Sequence, residues 1–166
     1  HPCRPGLSLS AMAGRFLPSP GRSRQRAMPL YVAEPPPSFL VRPPLVVDCS
    51  VLSAVLFEEP MRDTALRQLA GRTLHAPSLL DHEIADVVVK KQRQKWPADS
   101  LDMAMADYAE HDIALHRVDL GGQVELALRY GLSAYDAAYL WLAAELKAPL
   151  ATFDHELGAA ATQHLG

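Results

Sequence analysis

Leu45-Val46-Val47-Asp48 and Leu150-Ala151-Thr152-Phe153-Asp154 decide how this chain is read. Each is an apolar, strand-like run that ends in an aspartate, and a plausible helix follows each. In an open α/β sheet, ligands sit in the crevice at the carboxyl ends of the strands. Two acids delivered there from opposite ends of the chain point to one acidic pocket. Glu83 and Asp136 extend the set to four. Four converging carboxylates suggest a divalent metal, and a metal there suggests phosphodiester chemistry.

Outward from these runs, strand and helix alternate. Leu45–Asp48 reads as a strand, and 50–56 as a short helix. Pro60 suits the first turn of a second helix running to about Ala70. A short strand at 73–76 precedes a long helix from Ser78 to about Lys95, stopped by Pro97. A helix at 98–110 and an extended segment at 113–118 follow. The helix at 120–130 ends at Gly131. Ser133 caps an apolar helix to about Lys147, then come the strand 150–153 and a closing helix at 155–163. Strands alternating with helices predict a parallel sheet of about four strands, covered by helices on both faces as a three-layer α/β sandwich.

Each acid has a structural explanation to set against the functional one. Glu83 falls between Leu79 and Val87 on the apolar face of its helix, which also carries Leu80, Ile84 and Val88. A buried carboxylate is costly unless it is paired or binds metal. The structural alternative is a stem that snorkels outward or pairs with an arginine. Asp81 already has a role, because Ser78-Leu79-Leu80-Asp81 fits a capping box with Asp for the usual Glu. Asp136 lies in the first turn of a helix apolar nearly all round. Ser133-Ala134-Tyr135-Asp136 also matches a capping box, and a helix N-terminus favours an ionised carboxylate in either role. Asp48 and Asp154 could each simply be helix N-caps. Ser50, two residues after Asp48, could offer a hydroxyl to a water or phosphate, or cap its helix.

Other chemistries fail at particular positions. His82-Glu83 and His155-Glu156 begin the zinc-protease spacing, but Asp86 and Ala159 stand where the second histidine belongs. Gly131-Leu132-Ser133-Ala134-Tyr135 misses the serine-hydrolase elbow at its last residue. Cys49 reads as a small buried residue rather than a nucleophile. His75, His111, His116 and His164 show no ligand spacing. The run Lys90-Lys91-Gln92-Arg93-Gln94-Lys95 reads as a solvated helix end, or as a local patch for RNA phosphates.

Composition sets the frame. The chain has 166 residues, room for one domain with a real core. No apolar run approaches the roughly 18 residues needed to span a bilayer. Two cysteines, Cys3 and Cys49, make no disulfide framework, so a cytoplasmic location is expected. Residues 1–44 hold ten of the fourteen prolines and six arginines against one acid. They read as a Pro/Arg-rich, disordered leader: a tail, or an extension upstream of a start at Met28. They lack the apolar core of a secretory signal. Residues 45–166 hold ten Lys/Arg against eighteen Asp/Glu. That acidic body argues against a broad basic nucleic-acid footprint.

The chain resembles the PIN-domain ribonucleases, in particular the VapC-type toxins of bacterial toxin–antitoxin pairs. The likeness rests on Val46-Val47-Asp48-Cys49-Ser50-Val51-Leu52, Ala76-Pro77-Ser78-Leu79-Leu80-Asp81-His82-Glu83, Leu132-Ser133-Ala134-Tyr135-Asp136-Ala137-Ala138-Tyr139 and Ala151-Thr152-Phe153-Asp154-His155-Glu156-Leu157. It covers about residues 45–165. It implies Asp48, Glu83, Asp136 and Asp154 as the acidic site for Mg²⁺ or Mn²⁺, with Ser50 as the hydroxyl residue that supports it. It also implies an RNA substrate, a homodimer, and a small antitoxin that blocks the site. Two departures stand out. The family's final edge strand has no counterpart before Gly166, and the leader is atypical.

The function expected is a metal-dependent endoribonuclease toxin, using one or two ions to orient the scissile phosphate and activate water. Two other classes compete. A catalytically silent RNA-binding or regulatory module would keep the fold and need not bind Mn²⁺. A phosphatase of the haloacid-dehalogenase kind would use Asp48 as nucleophile, but needs a second aspartate where Ser50 stands.

Overall fold

A computed structural model describes residues 42–166. The leader expected at 1–44 therefore lies almost wholly outside the described residues. The described part contains four strands and seven helices: β1 (Pro44–Val47), α1 (Cys49–Leu56), α2 (Arg62–Leu69), β2 (Thr73–Pro77), α3 (Leu80–Arg93), α4 (Ala98–Glu110), β3 (Ile113–His116), α5 (Leu120–Tyr130), α6 (Ala134–Leu146), β4 (Leu150–Ala151) and α7 (His155–Leu165).

The strands form one parallel sheet in the order β3-β2-β1-β4. The α/β architecture expected from the alternation is what the chain adopts. From β1 the chain steps outward to β2 and β3, then returns across the sheet to place β4 on the other side of β1. The crevice between β1 and β4 is thus the point where strand order reverses, the usual ligand position in such sheets. β1 is central and apolar throughout, with Val46 and Val47 fully buried. A strand buried on both faces needs that continuous apolar run.

The helices fall into two groups. α6 packs on β1, β2 and β4, with α5 and α7 against it, while α1 packs on α2, α3 and α4. The near-uniform apolarity of α6 has its explanation here: Ala137, Ala138, Tyr139, Leu140, Leu142 and Ala143 are all buried. Three alanines let its backbone lie close to the sheet. Gly122 lets α5 lie close to α6, because the Trp141 indole of α6 occupies the space a Cβ would fill.

Three expectations need correction. Pro60 lies in a turn before α2, which starts at Arg62 rather than in the turn containing the proline. The capping box at Ser78 does not form. α3 starts at Leu80 with no side-chain cap, the Ser78 amide donates to the His116 carbonyl, and Asp81 instead accepts from the Tyr108 hydroxyl at 2.7 Å. Pairing with β3 draws Ser78 away from the helix end it would have capped. Finally, β4 is only Leu150–Ala151. Asp48 follows its strand directly, but Thr152 and Phe153 separate Asp154 from β4.

Candidate active site at the sheet reversal

Asp48 stands at the N-cap position of α1, yet its carboxylate caps nothing. It is 6% exposed. Its Oδ2 accepts two hydroxyls instead, from Ser50 at 2.7 Å and from Thr152 at 2.7 Å. Each hydroxyl is itself fixed from the β4–α7 turn. The Phe153 amide donates to Ser50 Oγ at 3.0 Å, and the Asp154 amide donates to Thr152 Oγ1 at 2.9 Å. Two parallel relays therefore run from backbone N–H through a hydroxyl to one buried oxygen. They tie the end of β1 to the turn after β4 across the reversal point.

Glu83 enters from α3, half-buried, and accepts the hydroxyl of Tyr139 on α6. Tyr139 is completely buried, so its hydroxyl requires a partner, and the carboxylate supplies it. The apolar position of Glu83 on α3, read from the sequence as a sign of function, is where this contact is made. Asp136 enters from the first turn of α6. Ser133 caps the helix by accepting the Asp136 amide at 3.0 Å, and its hydroxyl donates to Asp136 Oδ2 at 2.6 Å. The cap expected from the sequence is present, and it also steadies the carboxylate.

These three acids act on one another. Burial pushes the Asp48 carboxyl above its usual range, the Ser50 and Thr152 hydroxyls pull it back, and Asp136 raises it further. Burial likewise raises Glu83, the Tyr139 hydroxyl lowers it, and Asp48 and Asp136 add repulsion. Desolvation and like charge both disfavour the ionised forms. Asp154 differs. Its Oδ1 accepts the Leu157 amide at 2.8 Å, so it caps α7, while its backbone amide holds the Thr152 hydroxyl. Among the described residues, no group of three or more His, Cys, Asp or Glu is placed so that it could hold a metal ion. Asp48, Glu83 and Asp136 each accept at least one side-chain hydroxyl that fixes the carboxylate.

Beside Glu83 a groove of about 560 Å³ opens between α3 and α6, lined by Cys49, Leu79, Val87, Lys90 and Tyr135 among others. A larger groove of about 810 Å³ lies along β4 beside α7, but no Asp or Glu lines it. Cys49 is buried, and desolvation pushes its thiol up to about 12, so it stays protonated and is no nucleophile. Within the basic run, Lys91 is drawn inward to Glu59 at 3.3 Å and lies over the Phe57 and Trp96 rings, so it packs rather than solvates. Lys90 stays exposed.

Three features escape a reading of the sequence. Thr152 and Tyr139 are tethers defined only by residues distant in the chain. His75 and His116, which show no ligand spacing in sequence, meet across β2 and β3 with Nδ1 and Nε2 at 2.9 Å.

The PIN domain family model matches residues 45–162. The chain is 35% identical over 116 residues to VapC ribonuclease Mb0985 of Mycobacterium bovis, covering 68% of this chain and 87% of that one. It is 28% identical over 119 residues to ribonuclease VapC3 of Pyrobaculum aerophilum, covering 68% of this chain and 91% of that one. The fold resembles the crystal structure of PAE2754 from Pyrobaculum aerophilum at TM-score 0.57 and 21% identity, covering 74% of this chain and 94% of that one. It also resembles the Mycobacterium tuberculosis sarcin-ricin loop cleaving toxin VapC20 at TM-score 0.52 and 16% identity, covering 70% and 94%. Among the described residues no helix is long and apolar enough to cross a membrane. The acid cluster at the sheet reversal and the family match over residues 45–162 lead to one conclusion: this chain belongs to the PIN-domain family, among its VapC ribonucleases.

Proposed function

We propose that this chain is a metal-dependent endoribonuclease that hydrolyses RNA phosphodiester bonds at Asp48, Glu83, Asp136 and Asp154, and that it acts as the toxin of a toxin–antitoxin pair. The observation that carries the proposal is the meeting of Asp48, Glu83 and Asp136, from three different elements, at the reversal point of the sheet. Each acid has a hydroxyl partner of its own, but bringing the three together adds the like-charge repulsion that raises Asp48 and Glu83.

The donor set fits a hard divalent ion. The charged groups of the cluster are carboxylates supported by hydroxyls, and the nearby Cys49 thiol stays protonated, so the set suits Mg²⁺ or Mn²⁺. Mg²⁺ characteristically keeps several waters and takes only one or two carboxylates directly. Asp48 and Glu83 would hold the ion most directly, Asp136 would complete the ring, and Asp154 would act through water at its rim. The chemistry supplied by such an ion, when bound, is polarisation of a phosphoryl oxygen and acidification of water. The chain's own part is to keep the acids in place: Ser50 and Thr152 fix Asp48, Tyr139 fixes Glu83, and Ser133 fixes Asp136.

The partners follow from the same reading. An antitoxin segment carrying arginine would pair with the acid ring and compete with the ion. A homodimer is supported by α5, where Leu120, Val124 and Leu128 recur at four-residue spacing and are 75%, 45% and 81% exposed. Such a stripe on one helix face is a natural surface for a second copy. The site assignment is tested by titrating Mn²⁺ calorimetrically into wild-type, Glu83→Gln and Asp136→Asn proteins. Each variant is expected to bind at least about tenfold more weakly, the equivalent of roughly 1.4 kcal/mol. Equal affinities in all three would remove these acids from the metal site.

A further inference from the structure

We infer that the groove beside Glu83 seats one unpaired nucleobase of a single-stranded RNA substrate, stacked on Tyr135, with Lys90 on an adjoining phosphate. The inference rests on the ribonuclease reading and deepens it. It assigns a binding role to residues outside the acid ring and restricts the substrate to RNA whose bases can be unstacked.

Tyr135 is the first observation. α6 buries six of its thirteen residues, its other tyrosine among them, whereas Tyr135 is 66% exposed. It precedes Asp136, so the ring and a site carboxylate leave the same helical turn. Position and exposure give it no share in the core. An aromatic face at the edge of a groove is what a base stacks on, and every base has such a face.

The groove itself is the second observation. At about 560 Å³ it lies within the range of small-ligand sites, roughly 300–1,000 Å³. Leu79 and Val87 give it apolar walls, and Glu83 stands in its lining, so it is continuous with the acid ring. A base inserted there lies beside Glu83, next to the acids that would hold the scissile phosphate. A base paired and stacked within a duplex cannot enter, whereas a loop or single strand can present one.

Lys90 is the third. It also lines the groove, and its only ion-pair partner among the described residues is Asp86 at 2.7 Å on the same helix. Both side chains are more than half exposed, and such a pair contributes little. Asp86 lines the groove too, and its exposed carboxylate can turn to solvent when a phosphate takes its place on Lys90. Lys91, one residue on, is held inward by Glu59 and two aromatic rings and does not compete for this role. The acidic body thus has one cation placed at the groove, rather than a broad basic face.

The test is fluorescence titration of single-stranded RNA decamers, each carrying 2-aminopurine at a different position, with full-length protein in EDTA so that no strand is cut. Quenching is expected at one position or two neighbouring ones. Tyr135→Phe keeps the quench. Tyr135→Ala loses it and weakens binding by roughly fivefold or more. Lys90→Ala weakens binding and lowers the salt slope by about 0.7, the contribution of one single-strand phosphate. The same sequence as duplex gives no quench. Because Tyr135 is exposed, the alanine variant should melt like wild type, which separates lost binding from lost folding. With metal restored, Tyr135→Ala should raise KM for RNA and leave kcat within about twofold. Unchanged RNA affinity and KM in Tyr135→Ala, with cleavage intact, would overturn the groove assignment alone. The same result accompanied by lost binding of a protein partner would reassign the groove to that partner. Wild-type protein that neither binds nor cuts RNA would overturn the ribonuclease reading as well.

Discussion

Replacing Thr152 by valine tests the tether on Asp48 with little change of shape. The Thr152 hydroxyl donates at 2.7 Å to a carboxylate that is 6% exposed. A hydrogen bond to a charged group contributes about 1.5–3 kcal/mol. The second bond lost, from the Asp154 amide, is exposed, and water replaces it at small cost. A destabilisation of about 2 kcal/mol is therefore expected near neutral pH, equivalent to roughly 5–12 °C in Tm for a domain of this size. The sign with pH follows from what the hydroxyl stabilises. Burial already holds Asp48 above 3.8, and the Thr152 hydroxyl lowers it. The variant therefore has a still higher carboxyl pKa and binds more protons in its native state. Its deficit is present above the Asp48 pKa of the folded state and disappears as pH falls through it. Thermal melts in EDTA at pH 7 and pH 4 measure this directly. Turnover on RNA should fall about tenfold or more, and Thr152→Ser should restore both properties. A Thr152→Val protein that melts within about 1 °C of wild type at pH 7 and cuts RNA at the wild-type rate would refute the relay.

Other perturbations probe separate parts of the account. Asp48→Asn should leave metal-free protein at least as stable as wild type at pH 7. A carboxyl raised in the folded state contributes stability below its unfolded value that is lost as pH rises through the folded one, and denaturant unfolding in EDTA across that window reads the difference. Gly122→Ala would drive a methyl into the Trp141 indole, and about 1–3 kcal/mol of destabilisation is expected in denaturant unfolding. Leu128→Lys on the exposed stripe of α5 should shift a dimer toward monomer in light scattering without lowering the monomer's own stability.

How much the sequence revealed depended on how local each signal was. Asp48 at the end of an apolar strand and Glu83 on an apolar helix face are local patterns, and both lead to the cluster. Asp154 looked equivalent to Asp48, but its strand ends two residues earlier than its apolar run. Residues Thr152 and Phe153 are spent on the turn that feeds Asp48, and Asp154 caps α7. Ser78 carried a good capping signal that strand pairing overrode. Tyr139 appeared as one more apolar residue of a buried helix, because its hydroxyl partner lies on α3. Lys91 looked solvated, because Phe57 and Trp96 come from other segments of the chain. The sheet order itself follows from packing across the whole domain. No local pattern specifies that β4 returns beside β1, and that return creates the crevice.

The most direct test of the central claim is cleavage of an end-labelled mixed RNA pool by purified protein in Mn²⁺, Mg²⁺ and EDTA, beside Asp136→Asn prepared identically. The account expects discrete cuts with either metal, none in EDTA, and at least about a hundredfold loss in Asp136→Asn. Cleavage that persists in EDTA, or that Asp136→Asn performs at the wild-type rate, would contradict it.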